Sequence, residues 1–345
     1  MLAVAPGAAA ARARGSTVLD VRRFGAKGDG IADDTAAFQR AIDALPEAGG
    51  TVRVPDGDYR IDPLRSVRLR SRMHLQLAPG ARLHAIPNAA ERAYVLNAHG
   101  VRDVEISGGR ILGERHRHLG TRGEWGHGLM VRGCTGVTVR DLRIDDCWGD
   151  GISIGGIDAP KGRAATPSRD VVVQRVRCIG NRRQGLTIGR SQRVRVSDCE
   201  FADTGGTPPA AGIDVEPDAG HVASDVRIER CHVHGNAGPG IQFYKRVRGA
   251  VVADCTIENN RGPGLLLLEA TDIMLVGNRV RGHRGPGLSL RRGAGRVVLR
   301  DNAFSANGSG RAKAAKPNDD AIPSRHVARA DGAFDIRIEA GNTFQ

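Results

Sequence analysis

GHGLMV (126–131), GDGISI (149–154), RQGLTI (183–188), AGIDV (211–215), GPGIQF (238–243), GPGLLL (262–267) and GPGLSL (285–290) share one form: glycine, apolar, any residue, apolar. Measured between Gly128, Gly151, Gly185, Gly212, Gly240, Gly264 and Gly287, the steps are 23, 34, 27, 28, 24 and 23 residues. A repeat of this size predicts a solenoid, in which each unit buries its apolar face only by stacking on its neighbours. The alternation has period 2, so the units are strands. Any chemistry must then be assembled from side chains at equivalent places on successive rungs.

Each repeat carries a second alternation before a polar turn, as in VTVRDLRI (137–144) and VVVQRVRCI (171–179). In register, two polar columns emerge. One holds Cys199, Cys231, Cys255, Asn278 and Asn302; the other holds Thr204, Asn236, Asn260, His283 and Asn307. Stacked polar residues of this kind can hydrogen-bond along the column. Rungs of about 23 residues with short strands and tight polar turns predict an all-β solenoid, a right-handed parallel β-helix. The cysteines alternate with apolar residues and lack CxxC or Cys–His spacing, which predicts stacked, reduced, structural thiols.

Aromatics are only 3% of the chain and glycines number 47, which suits narrow rungs filled by Val, Ile and Leu. No apolar run approaches the 18 or so residues of a membrane span. The first residues, MLAVAPGAAAARARG, read as a disordered lead or signal remnant over 1–17, and the chain is expected to be secreted or periplasmic. The net charge of +13 has two readings. One is an Arg-rich solvated surface; the other is attraction to a polyanionic polysaccharide. No nucleic-acid motif is present, and oligomeric state is not legible.

VLDVRRFGAKGDGIADDTAAFQRAIDAL (18–45) passes from strand to Gly-rich turn to amphipathic helix. Asp33, Asp34 or Thr35 can cap the helix, whose apolar face is Ala37, Phe38, Ala41, Ile42 and Leu45. Such a helix would close the first rung of a solenoid. The expected layout is one domain over 18–345: N-terminal cap with capping helix (18–61), rungs (62–307), and C-terminal cap or tail (308–345).

FGAKGDGIADDTAAFQRAI (24–42) followed by GGTVRVPDGDY (49–59) resembles the N-terminal cap of the pectate-lyase-like superfamily. That superfamily includes polygalacturonases and tailspike-type depolymerases. GGRILGERHRHLGTRGEWGHG (108–128), CWGDGISIGG (147–156), NRRQGLTI (181–188) and AGIDVEP (211–217) look like a bacterial branch of its β-helix proteins. The resemblance implies the fold, while hydrolases, lyases, epimerases and adhesins share that scaffold. The polygalacturonase pattern of Asn-Thr-Asp, Asp-Asp, Gly-His-Gly and Arg-Ile-Lys is not kept. Gly-His-Gly (126–128) precedes the acidic rung, WGDG (148–151) replaces the Asp-Asp entry, and Arg-Ile-Lys is absent. That active site therefore does not transfer.

Aligned on their glycines, the strands place Asp150, Asp214 and Glu216 on the solvent face of a few middle rungs. His127, Trp148, Arg182, Arg183, Gln184, Gln242, Tyr244, Lys245, Glu124 and Trp125 surround them as substrate-binding candidates. The long steps insert loops at 155–170 and 203–211 beside this patch. Two carboxyls suit glycoside hydrolysis, and two rungs of separation suit inversion, with Asp214 and Asp150 as acid and base and Glu216 assisting. The structural alternative is pairing with Arg182 or Arg183. A second chemistry is β-elimination or C5-epimerisation of a uronic acid. There Arg182, Arg183 or Lys245 would neutralise the carboxylate and His127 or Tyr244 would act as base. In that case Ca²⁺ is a conceivable cofactor on Asp150, Asp214 and Glu216; otherwise no cofactor and no metal is expected. A third reading is a glycan-binding adhesin with Trp125 and Trp148 as stacking platforms for sugar rings, the alternative for the two rings being turn packing. Glu114, His116 and His118 could bind a metal, but spacing fixes no further ligand, and strand alternation or a solvated loop is the more common reading.

Overall fold

The computed structural model describes residues 14–159, 164–309 and 322–345. The chain winds into a right-handed coil with three faces, and the ladders between successive turns are parallel. One turn shows the order. Trp125–Arg132 lies on a first face, Thr135–Arg140 on a second and Arg143–Asp145 on a third. Ile152–Gly155 then returns to pair with Leu129–Arg132. Further along, Ile241–Ala253 and Leu265–Val276 bend across the first and second faces without a break. Inward residues of the third face form one column: Ile144, Cys178, Phe201, Val233, Ile257, Val280 and Phe304. Each is at most 1% exposed, so the apolar alternation sets the core.

Both polar columns form. The Asn278 Oδ1 accepts the Cys255 N–H at 3.0 Å, and Asn302 and Asn342 repeat the bond on the next rungs at 3.0 Å. At the other corner Asn236 accepts the Thr204 N–H, Asn260 the Asn236 N–H, and His283 the Asn260 N–H, at 3.0, 3.0 and 3.1 Å. Each ladder member satisfies a turn N–H that would otherwise be buried without a partner. All six cysteines are free and buried. Thiol titration without reductant should therefore find six thiols after denaturation and almost none before; a finding of disulfides would refute the stacking.

The turns explain the arginine content. Rungs bend through left-handed corners filled largely by Asp and Arg, such as Asp141 (φ 54°), Asp170 (φ 54°), Arg175 (φ 49°) and Arg193 (φ 55°). Asp tolerates this region better than most residues. Arginines one rung on clamp such aspartates with two bonds each: Arg175 on Asp141, Arg193 on Asp170, Arg230 on Asp198 and Arg296 on Asp272. Arg175 is the main reason the Asp141 carboxyl is held down at about 2. Much of the positive charge is thus cross-rung clamping.

Burial pushes His74, His127 and His283 down to about 4. The unfolded chain, with histidines near 6.5, then binds protons the folded chain refuses. Stability should be full above about pH 6.5 and fall as the pH drops from there toward 4. His283→Asn keeps the ladder, because its neighbours Asn260 and Asn307 already bond this way. It should weaken the pH dependence of the melting temperature between about pH 6.5 and 4, because it removes one of the four histidines that burial pushes down. An unaltered slope would remove His283 from the explanation.

The predicted helix is Thr35–Asp43, with Ala37, Phe38, Ala41 and Ile42 buried. Asp33 accepts the Thr35 N–H at 3.0 Å, while Asp34 binds back to Lys27 and Gly28 of the Gly-rich turn. Two boundaries differ from expectation. Val18–Asp20 already pairs with Thr51–Arg53, so coil pairing begins inside the cap segment. Within 308–345, Val327–Arg329, Phe334–Ile338 and Thr343–Phe344 add one more three-strand turn on the existing faces. Their apolar alternation lies after the stretch at 310–321, outside the described residues, which hid the repeat. Of the lead at 1–17, residues 1–13 are also outside; Arg14 is ion-paired with Glu105. No helix among the described residues is long and apolar enough to cross a membrane.

Candidate functional site

The register of the first face places Met130, Ser153, Thr187, Asp214, Gln242, Leu266 and Ser289 in one outward column. Asp150 and Gln184 precede the marker glycines of two adjacent rungs, and the Gly151 N–H donates to the Gln184 carbonyl at 3.0 Å. The two rows meet in a continuous set of hydrogen bonds. The Thr187 hydroxyl lies 2.9 Å from Asp150 Oδ2 and 2.9 Å from Gln184 Oε1. Gln184 Nε2 donates to Asp214 Oδ2 at 2.7 Å, and Gln242 Nε2 donates to Asp214 Oδ1 at 3.0 Å. Thr187 was absent from the sequence-derived site; its place in the Asp214 column is the signal that marks it.

The two aspartates differ in surroundings. Asp150 is ion-paired with Arg183 at 3.3 Å, and Arg183 also reaches Glu124 at 3.3 Å. Burial, then the neighbouring Glu216, push the Asp214 carboxyl well above the usual carboxylate range, while Arg183 opposes the shift. His127 stacks on Tyr94 at 5.6 Å between centroids, and its Nδ1 accepts the Asp150 N–H at 3.0 Å. A neutral His127 bonded this way carries its proton on Nε2 and acts there as a donor. That geometry does not suit the base role expected for it in elimination.

The expected solvent-facing patch is corrected. Asp150, Asp214 and Gln184 are 0% exposed and His127 is 2% exposed. Rungs are only about 4.8 Å apart, so long side chains from one rung lie across short ones on the next. Glu216 and Tyr244 are half-buried and lie beyond the covered pair along their strands. Lys245 sits over the Tyr244 ring at 4.9 Å, at a left-handed position (φ 61°) where the ladder shifts register.

Trp148 is not an open platform. His118 stacks on its ring at 3.8 Å and the Arg182 guanidinium at 3.7 Å. Arg182 also donates to the Gly123 carbonyl at 2.9 Å, so it ties down the 113–124 loop. Trp125 is half-buried with Arg92 at 4.1 Å over its ring. Glu114 pairs with His118 at 3.0 Å and His116 with Asp146 at 3.3 Å, so these three do not converge on one ion.

The two insertions flank the first face on opposite edges. The 155–170 segment follows Ile152–Gly155 and is pinned by an Ile157–Thr166 bridge and by Arg190 on Asp158 at 2.7 Å; residues 160–163 lie outside the described set. The 203–211 segment precedes Ile213–Val215 and donates from Thr207 to the Arg182 carbonyl at 3.0 Å.

Comparison with known proteins fits this geometry. The chain is 29% identical over 233 residues to the uncharacterized protein YclG of Bacillus subtilis (strain 168), covering 61% of this chain and 39% of that relative. It thus spans less than half the length of that curated relative. The A-module of the Azotobacter vinelandii mannuronan C-5 epimerase AlgE4 superposes with a TM-score of 0.65 at 17% identity, covering 95% of this chain and 97% of the module. PfbA, a surface adhesin of Streptococcus pneumoniae, superposes with a TM-score of 0.63 at 19% identity, covering 84% and 85%. At these identities the structures establish the fold alone. Residues 18–266 match the sequence profile described as rhamnogalacturonase A/epimerase, pectate lyase-like, and on that match over most of its length the chain belongs to this family.

Proposed function

We propose that the chain cleaves a polysaccharide on its first face by inverting glycoside hydrolysis, with Asp214 as general acid and Asp150 as the base that activates water. The observation that carries this reading is the unequal environment of two carboxyls in one hydrogen-bonded set. Asp214 is driven toward the protonated form by burial and Glu216, whereas Asp150 faces Arg183. Two carboxyls in such unlike surroundings, one sealed beside another carboxylate and one ion-paired, commonly divide acid and base roles. They stand two rungs apart, roughly 10 Å at the backbone, which is close to the inverting separation of about 6.5–9.5 Å between carboxyls. Substrate access requires Arg183 to turn off Asp150. An acidic sugar would draw it away by offering a competing carboxylate. The family description, which names a rhamnogalacturonase and an epimerase, supports a polysaccharide partner. It also supports work outside the cytoplasm, where such polymers lie.

One observation favours a second reading. Both carboxyls are sealed from solvent, as a non-catalytic glycan-binding surface permits, and PfbA is described as an adhesin. A panel of acidic and neutral polysaccharides separates the alternatives. New reducing ends without ultraviolet absorbance support hydrolysis. Absorbance of an unsaturated product indicates elimination, altered uronate NMR signals at constant chain length indicate epimerisation, and binding without any change indicates an adhesin.

A further inference from the structure

The third face carries an unrelated group of side chains. Glu200–Ala202, His232–His234 and Thr256–Glu258 are neighbouring parallel strands, with Glu200 opposite His232 and His234 opposite Glu258. Their central residues Phe201, Val233 and Ile257 point into the core. The flanking residues therefore point outward, and His-x-His sets two imidazoles side by side. The rings lie 4.1 Å apart between centroids. Glu200, His232 and His234 each offer a ligand atom within 4.8 Å of the others, and they are the one such group of three among the described residues.

Two features go beyond proximity. Arg177 holds Oε2 of Glu200 at 2.6 Å and Arg281 holds Oε2 of Glu258 at 2.6 Å. Each arginine thereby fixes its carboxylate with Oε1 toward a histidine: His234 Nε2 is 3.2 Å from Glu200 Oε1, and His232 Nε2 is 2.8 Å from Glu258 Oε1. A histidine that gives one ring N–H to a carboxylate keeps a lone pair on its other nitrogen, the arrangement that orients metal-bound imidazoles. Here Glu258 plays that part for His232.

We propose that Glu200, His232 and His234 bind one borderline divalent cation of the Zn²⁺ class, which staples two successive rungs on the face away from the carbohydrate site. The ion takes the place of the proton shared by His234 Nε2 and Glu200 Oε1, and His232 contributes Nδ1. Bonds of about 2.0–2.2 Å in a tetrahedron put ligand atoms roughly 3.4 Å apart, so the three, now within 4.8 Å of one another, must draw in by side-chain rotation on binding. Water takes the fourth position. Two imidazoles with one carboxylate favour Zn²⁺, Co²⁺ or Ni²⁺ over Ca²⁺ and Mg²⁺, which prefer oxygen ligands.

The test is equilibrium dialysis of the full chain against ZnCl₂, with Co²⁺ as a spectroscopic probe. The wild type should retain one Zn²⁺ per chain with a Kd of about 1 μM or tighter. It should melt at higher temperature with Zn²⁺, and give the visible band of four-coordinate Co²⁺. His232→Ala/His234→Ala should lose all three responses, and Glu200→Gln should weaken them. His116→Ala, at an exposed histidine elsewhere, should lose none. The double variant need not be stable for the proposal to fail. A wild type that binds no Zn²⁺ in this range, or shows only a six-coordinate Co²⁺ spectrum, overturns it. Equal uptake by a folded double variant does the same.

Discussion

Asp214→Asn should lower turnover on the responsive polysaccharide by about 10²-fold or more, the lower range for loss of general acid–base catalysis. Its melting temperature near neutral pH should stay level or rise. Burial and Glu216 raise the Asp214 carboxyl above its unfolded value. The folded state then binds a proton more tightly than the unfolded state does. Stability linked to this group is full below about pH 4 and is lost as the pH climbs through the raised value. A neutral amide abolishes that loss. Gln184 and Gln242 both donate to Asp214, and Gln242 makes no other side-chain bond among the described residues, so its amide can turn to accept from the substituted side chain. Asp150→Asn should behave differently: it removes the partner of a largely buried arginine and should lower both turnover and melting temperature. Should Asp214→Asn turn over normally, the acid lies elsewhere. Should it mainly destabilise, Asp214 is a structural carboxylate.

Phe38→Ala should cost about 3–5 kcal/mol, the range for removing a fully buried aromatic ring. Phe38 is 0% exposed and meets Tyr59 edge-on at 5.3 Å, while Ile42 of the same helix is also 0% exposed. The ring joins the helix to the first turn of the coil and has no replacement. Because each turn of a solenoid is stabilised mainly by its neighbours, the damage should begin at this end. Limited proteolysis of the variant should cut first within about the first two turns, before the rungs that carry Asp150 and Asp214. Ile31→Ala, at 77% exposure, serves as the control and should change stability by less than about 0.5 kcal/mol. Equal melting of Phe38→Ala and wild type would show that the helix is not needed to close the coil.

The glycine-marked alternation was sufficient to read the coil, the two polar ladders and the six unpaired thiols. Those features depend on period alone. In a parallel coil, equal places in successive repeats become neighbours, so counting residues counts contacts. The proximity of Asp150 to Asp214 was legible for the same reason. What covers them was not. Whether a side chain on the outer face meets water depends on the long residues of the adjacent rung, and Arg183 can lie flat or stand away at the same register. Trp148 shows the same limit. Its two faces are filled by His118 from an irregular loop and Arg182 from the following turn, and no period relates them. The last turn at 327–344 was hidden by an intervening stretch without alternation. The Glu200–His232–His234 group needed both register and the paths of three flexible side chains. Sequence periodicity alone determined which residues are neighbours along the coil; only the tertiary structure decided which of them are covered, clamped or free, because that depends on side-chain rotamers chosen by packing between rungs.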